Sequence, residues 1–133
     1  MKAIALLAVA AIILAGCTTP GSQLELTDLH AMVVEPDGTL LLATHDGLIE
    51  ATNEDGWRLE VRGAAGNDLM GLARGDDGTL WAGGHPQVTK PSDPKHLGLF
   101  RSQDDGVSWE SVSLHGQADF HALTTLPSGD VLA

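Results

Sequence analysis

The sequence has no tyrosine, two phenylalanines and a single cysteine among its 133 residues. An interior built with so few rings must be mainly aliphatic, with Trp57, Trp81 and Trp109 as its large pieces. One cysteine, Cys17, excludes an intramolecular disulfide. Basic residues are also scarce: 7 Lys and Arg stand against 18 Asp and Glu, a formal charge of −11. That balance argues against nucleic acid as a partner and against attraction of the surface to anionic headgroups. Long apolar runs are missing too. The one continuous stretch, residues 3–14, is too short to span a bilayer, and nothing after it keeps a helical period.

That short run is nevertheless placed like an export signal. Lys2 supplies a positive start, and Leu14-Ala15-Gly16-Cys17 has the order of a lipoprotein cleavage site. The expectation is a signal peptide over 1–16, a lipidated Cys17 and a polar linker through residue 23. The alternative is an ordinary cleaved signal peptide with an incidental cysteine. Removing 1–16 takes Lys2 with it, leaving six Lys and Arg against eighteen Asp and Glu, or −12. The partner implied is therefore a membrane held through lipid, on the outer face of the plasma membrane or on the outer membrane of a bacterial cell envelope.

The remainder, 24–133, is repetitive. Asp28-Leu29-His30-Ala31-Met32 returns as Asp68-Leu69-Met70-Gly71-Leu72, 40 residues on, and as Asp119-Phe120-His121-Ala122-Leu123 after a further 51. Asp37-Gly38-Thr39-Leu40 likewise returns as Asp77-Gly78-Thr79-Leu80, and Ser128-Gly129-Asp130-Val131 takes the third place. Glycine in such a tight turn, read here as a two-residue turn, signals a hairpin. Strands 40–44 and 80–84 lead to His45 and His85. Gly47-Leu48-Ile49 and Gly98-Leu99-Phe100 follow as third strands, the second after an irregular insertion rich in proline.

Repeats of four short strands at this period predict an all-β fold, a β-propeller of four-stranded antiparallel blades. The divisions expected are a blade at 28–66, a blade at 67–117 and a partial blade at 118–133. About two and a third blades do not close a ring, so the sequence is expected to be the N-terminal piece of a longer protein; several chains sharing one ring, or a small open unit, are the alternatives.

Residues 102–109 carry the sharpest local pattern, S-x-D-x-G-x-S/T-W. Asp104 is suited to accept N–H groups across a turn, Gly106 to take positive φ, Ser102 to add a second local bond and Trp109 to bury its face beside the hairpin. In the first copy the turn is degenerate, Thr52-Asn53-Glu54-Asp55-Gly56, with Trp57 arriving early. The pattern resembles the BNR/Asp-box repeats of sialidases, sortilin ectodomains, photosystem II stability factors and bacterial lipoproteins labelled glycosyl hydrolases. The resemblance implies a propeller in which Ser102, Asp104, Gly106 and Trp109 are structural, lying on the periphery of a blade.

It also implies three functions to weigh. The first is a ligand-binding or interaction module at the cell surface, taking a glycan or a protein at the channel mouth. The second is a glycoside hydrolase, although a sialidase needs an arginine cluster and a tyrosine nucleophile. This chain has no tyrosine, and Arg58, Arg62, Arg74 and Arg101 form no recognisable motif. Catalytic residues would then lie largely outside these 133. The third is an assembly scaffold, for which an acidic surface is the wrong sign.

The residues themselves single out histidines. His30 and His121 hold one repeat position, His45 and His85 another, and both positions fall where loops reach one mouth of a propeller. Converging imidazoles can bind copper or zinc, with Asp28, Asp68 or Asp119 beside them; the alternative is hydrogen-bonded histidines at strand ends. Asp76-Asp77 and Asp104-Asp105 are explained by turns. Gly83-Gly84-His85-Pro86 has no following helix to make it a phosphate loop.

Overall fold

The computed structural model describes residues 24–87 and 90–133; the expected signal peptide, Cys17 and the linker to residue 23 lie outside them. Runs of leucine, valine and alanine broken by Gly-containing turns form strands throughout, and no helix occurs among the described residues. β1 (Leu29–Val34), β2 (Leu40–Thr44), β3 (Gly47–Asn53) and β4 (Trp57–Gly63) make one antiparallel sheet in chain order. A second sheet repeats the order with β5 (Asn67–Arg74), β6 (Leu80–Pro86), β7 (Leu99–Ser102) and β8 (Glu110–Ser113). A short hairpin, β9 (Thr124–Thr125) with β10 (Val131–Leu132), begins a third unit.

The repeated turn opens every unit in the same way. Glu35 N–H donates to Thr39 O at 2.8 Å while Gly38 N–H donates to Glu35 O at 2.9 Å, and the same pair of bonds recurs at Gly75 and Thr79 and at Leu126 and Asp130. Three residues stand between the closing pair, one more than the two-residue turn expected. Gly38, at φ +90°, fills the left-handed position that such a three-residue loop requires.

Side chains alternate along each strand, so every sheet has a front, turned toward lower residue numbers, and a back. The back of the first sheet presents Leu41, Ala43 and Leu48, and the front of the second presents Leu72, Leu80 and Ala82; with Leu69 and Leu97 these form one buried core between the sheets. Ala31, Val33, Phe100 and Trp109 pack around it. The back of the second sheet is nearly bare at Gly71 and Gly83, and the third unit uses the space. A β-carbon on Gly83 would sit 2.6 Å from Phe120 Cβ, and one on Gly71 would sit 3.1 Å from Leu123 Cγ. Thr125 Oγ1 completes the contact by donating to Arg74 O at 2.9 Å.

Two expectations need correction. Tryptophans are not the large pieces of the interior: Leu48, Ile49, Leu69 and Leu80 are the biggest fully buried hydrophobic side chains, Trp81 and Trp109 are half-buried, and Trp57, on a front that no other sheet covers among the described residues, is 58% exposed. The opening strand of the third unit is also shorter than its sequence likeness predicts, since residues 119–121 lie outside any strand.

The 102–109 turn joins β7 to β8 and reaches across to the first sheet. Ser102 Oγ donates to Asp104 Oδ1 at 2.8 Å and accepts from Gly106 N–H at 2.8 Å, and Asp104 accepts from Ser108 through both its backbone N–H and its hydroxyl. Trp109 Nε1 donates to Gly106 O at 2.9 Å, folding its ring over the turn and against the core. Asp105 and Gly106 take positive φ, and a β-carbon on Gly106 would collide with Leu48 of the first sheet. The turn is thus both a hairpin staple and a contact between sheets.

The hydroxyl and N–H of Ser108, then Ser102, hold the Asp104 carboxyl down at about 2, against an ordinary 3.8. A depressed carboxyl contributes stability above its unfolded value and loses it as pH falls through the folded one. The wild-type melting temperature should therefore drop between about pH 4 and 2. Asp104→Asn should melt lower than wild type at pH 7, with the gap closing by pH 2. An undiminished gap at pH 2 in a calorimetric pH series would remove this account.

Candidate functional site

All four histidines singled out by the repeats meet at one end of the sheets, and two aspartates join them. His30 enters from the start of β1, His45 follows β2, Asp68 opens β5, His85 closes β6, and Asp119 and His121 stand just before β9. His45 Nδ1 donates to Asp68 Oδ2 at 2.8 Å, and His85 Nδ1 donates to Asp119 Oδ2 at 3.1 Å. These are the same contact made twice: a histidine at the end of the second strand of one unit, or just past it, holds the aspartate that opens the next.

Further contacts link the pairs into a chain. His85 Nε2 lies 3.4 Å from Asp68 Oδ2, so one imidazole stands between both carboxylates. His121 Nε2 is 3.1 Å from Asp119 Oδ2. His30 Nε2 stands 3.1 Å from Asp68 Oδ1, but without hydrogen-bond geometry. Asp68 Oδ1 and Asp119 Oδ1 are consequently both buried and lack a hydrogen-bond donor. Such an acceptor is costly to leave unsatisfied, on the order of 1–3 kcal/mol for a buried polar group.

Asp68 is the centre of this arrangement and is itself buried, at 6% exposure. Its backbone is equally confined, because a β-carbon on Gly84 would strike Asp68 O. Gln87 Nε2 donates to His45 O at 2.6 Å, tying the segment after β6 to the end of β2. Asp28, at the same repeat position as Asp68 and Asp119, accepts no side-chain hydrogen bond from a described residue, and has φ +44°. His115, outside the repeat pattern, donates to Leu97 O and stacks on Phe100.

Among the described residues no group of three or more His, Cys, Asp or Glu is arranged to hold a metal ion. Within this cluster His30 Nε2, His45 Nδ1, both His85 nitrogens and His121 Nε2 lie 2.8–3.4 Å from oxygens of Asp68 or Asp119. His30, His45, His85 and His121 thus stand together, with Asp68 and Asp119 between them.

The arginines are elsewhere. Arg74, six positions along β5 from Asp68, contacts Glu35 at 2.6 Å and Asp105 at 3.1 Å, and Arg62 pairs with Glu50. With Asp37 and Leu41 they line a groove of about 420 Å³ at the opposite end of the sheets. Arg101 pairs with Glu110 on the outer strands. Sequence reading did not find this groove, because Arg74 and Glu35 have no counterparts at the same positions in the other repeats. Comparison of the chain with protein-family models, curated proteins and solved structures returns no match.

The Asp68 hydrogen bond, followed by the charge of Asp68, raises His45 above its ordinary 6.5. A raised histidine contributes stability that is complete below 6.5 and is lost as pH climbs through the folded value, so this clasp tightens on acidification. NMR titration should place the His45 midpoint above 6.5, and Asp68→Asn should bring it back toward that value. A midpoint that ignores Asp68→Asn would show that the contact does not exist in solution.

Proposed function

We propose that this chain is a cell-envelope lipoprotein whose sheets are blades of an Asp-box propeller, and that it works as a binding module with its ligand at the histidine–aspartate end. The observation that carries the reading is the pair of buried carboxylate oxygens, on Asp68 and Asp119, that lack donors beside a ring of imidazoles. A ligand rich in hydroxyl or amide N–H groups supplies donors to those oxygens and acceptors for imidazole N–H. A neutral or amino-bearing glycan has that chemistry. Anionic sugars fit poorly, since the arginines are at the far end and already face carboxylates.

Turnover of the glycan has less behind it. The carboxylates here are engaged by histidines, and these 133 residues include no tyrosine to act as a nucleophile. Blade architecture is supported by two sheets of the same order stacked front to back, with the third unit entering at the same position.

Two experiments test the parts separately. Cys17→Ser should abolish labelling with a radioactive or clickable fatty acid and move the protein out of the membrane fraction; unchanged partitioning overturns the anchor. Binding to an array of neutral, amino and acidic oligosaccharides should give neutral or amino-sugar hits whose affinity falls at least about tenfold in Asp119→Asn, the loss of a charge-assisted bond. Arg74→Ala should leave those hits intact. Hits confined to acidic glycans, or lost with Arg74→Ala and kept with Asp119→Asn, would put the ligand at the other end.

A further inference from the structure

His45 differs from the other three imidazoles of the polar end in having one nitrogen held and the other open. Its Nδ1 hydrogen-bonds Asp68 Oδ2 at 2.8 Å, while Nε2 makes no hydrogen bond or ion pair with a described residue. His85 turns both nitrogens toward carboxylates, at 3.1 Å from Asp119 and 3.4 Å from Asp68. His30 and His121 turn Nε2 toward Asp68 and Asp119, each at 3.1 Å and without hydrogen-bond geometry, so those contacts fix neither tautomer.

The tautomer of His45 follows from its partner. An ionised carboxylate only accepts, so Nδ1 carries the proton, and in the neutral ring Nε2 presents a lone pair. The side chain is half-exposed while Asp68 is buried, so the ring edge that meets solvent is the one away from Asp68.

The surrounding chain holds this ring in place. His45 and Asp46 form the two-residue turn between β2 and β3, closed by the pairing of Thr44 with Gly47. The buried Thr44 hydroxyl donates to Gly47 O at 2.9 Å and accepts from Asp46 N–H at 3.1 Å. Gly47 has φ +103°, and a β-carbon there would stand 2.7 Å from Gly63 O, so the turn is pressed against the end of β4. From the other side Gln87 Nε2 donates to His45 O at 2.6 Å. A group fixed in this way loses little freedom when a ligand meets it.

The charges facing the ring have one sign. Asp68 from β5, then Asp46 in the turn and Asp28 from the segment before β1, raise His45 above its ordinary 6.5, and His30 and His85 contact the same Asp68. Protonation removes the lone pair, so the imidazolium cannot accept a hydrogen from a ligand at Nε2.

We propose that His45 is the residue that selects the ligand at this end, its Nε2 accepting a hydroxyl or amide N–H of the glycan, so that ligand binding and protonation of the ring exclude each other. This deepens the glycan reading above and rests on it. Affinity then rises as pH climbs through the His45 midpoint and falls on acidification, opposite in sense to the His45–Asp68 clasp, which acid tightens. By linkage, bound ligand lowers the midpoint.

Histidine-resolved NMR and binding isotherms on the full chain test this. Without ligand, the nitrogen shifts of His45 above its midpoint should be those of the Nδ1–H form; an Nε2–H form overturns the proposal. The probe is N-acetylchitotriose, which carries hydroxyl and amide N–H groups, or whichever neutral hit of the array binds more tightly. Its affinity should fall about tenfold per pH unit below the His45 midpoint, the limit for one proton, and saturation should move that midpoint down. His45→Gln, which keeps an amide where Nε2 stood, should bind the sugar without this step in its pH profile. A step that survives in His45→Gln, or a wild-type midpoint unmoved by saturating sugar, overturns the assignment of His45 and leaves the glycan reading standing. The wild-type midpoint decides the matter even where His45→Gln fails to fold. An array with no neutral or amino-sugar hit overturns the glycan reading, and this proposal with it.

Discussion

Both faces of these sheets are apolar, and that one constraint shapes everything else. An antiparallel sheet with a single apolar face finds rest against one partner; here Leu41, Ala43 and Leu48 point one way from the first sheet while Leu42, Ile49 and Ala51 point the other. Each unit must be sandwiched. Stacking sheets front to back meets that need for the second, which has the first sheet on one side and Phe120 and Leu123 on the other. Glycine at 71 and 83 sets how closely the third unit approaches, since any side chain there would meet Phe120 or Leu123.

Polar groups appear where this stack runs out of apolar surface. At one end the strand termini bring aspartates and histidines against one another across the sheet boundaries, and at the other Arg62 and Arg74 meet Glu50, Glu35 and Asp105. The two ends solve the same problem differently. Arginine is always charged and pairs with several carboxylates, although Glu35 Oε1 and Arg74 Nε stay buried there without hydrogen-bond partners. Histidine has one proton to move and two unlike nitrogens, so at the other end the His45–Asp68 pairing depends on pH, and Asp68 Oδ1 and Asp119 Oδ1 lack donors.

Much of this was legible in the residues because the repeats share one offset. The echo of Asp28-Leu29-His30 at 68 and 119, and of Asp37-Gly38 at 77, located the units and their turns, and the matched places of His45 and His85 located one end. What repetition could not convey is depth. Trp57 and Trp109 look alike in a sequence, yet one is covered by a neighbouring sheet and the other is not, and only packing decides. The aspartates were visible as neighbours of the histidines, but whether a carboxylate sits beside a metal or between two imidazoles depends on ångström-scale placement across strands far apart in the chain. Arg74 and Glu35 gave no signal at all, being private to their own repeats.

A stack whose units have unlike fronts and backs has a direction, and a direction has consequences that a symmetric sandwich escapes. Two identical faces meeting once would satisfy each other and stop; a front and a back that meet leave another front and another back. Each boundary also carries its own aspartate and histidine, so the polar end grows by one pair with every unit added. The boundary between the first and second units and the one between the second and third already differ in this way: Asp68 has three histidines around it, and Asp119 has two. Met70 stands where the other units have His30 and His121, so no imidazole from that position of the second unit meets Asp119, which faces His85 and His121 instead. One substitution in a repeat thus varies the chemistry along the polar end without altering the fold, because the side chain at that position projects from the rim and not into the apolar stack. This is how repeated units can share a core and still build a site in which no two neighbours are the same.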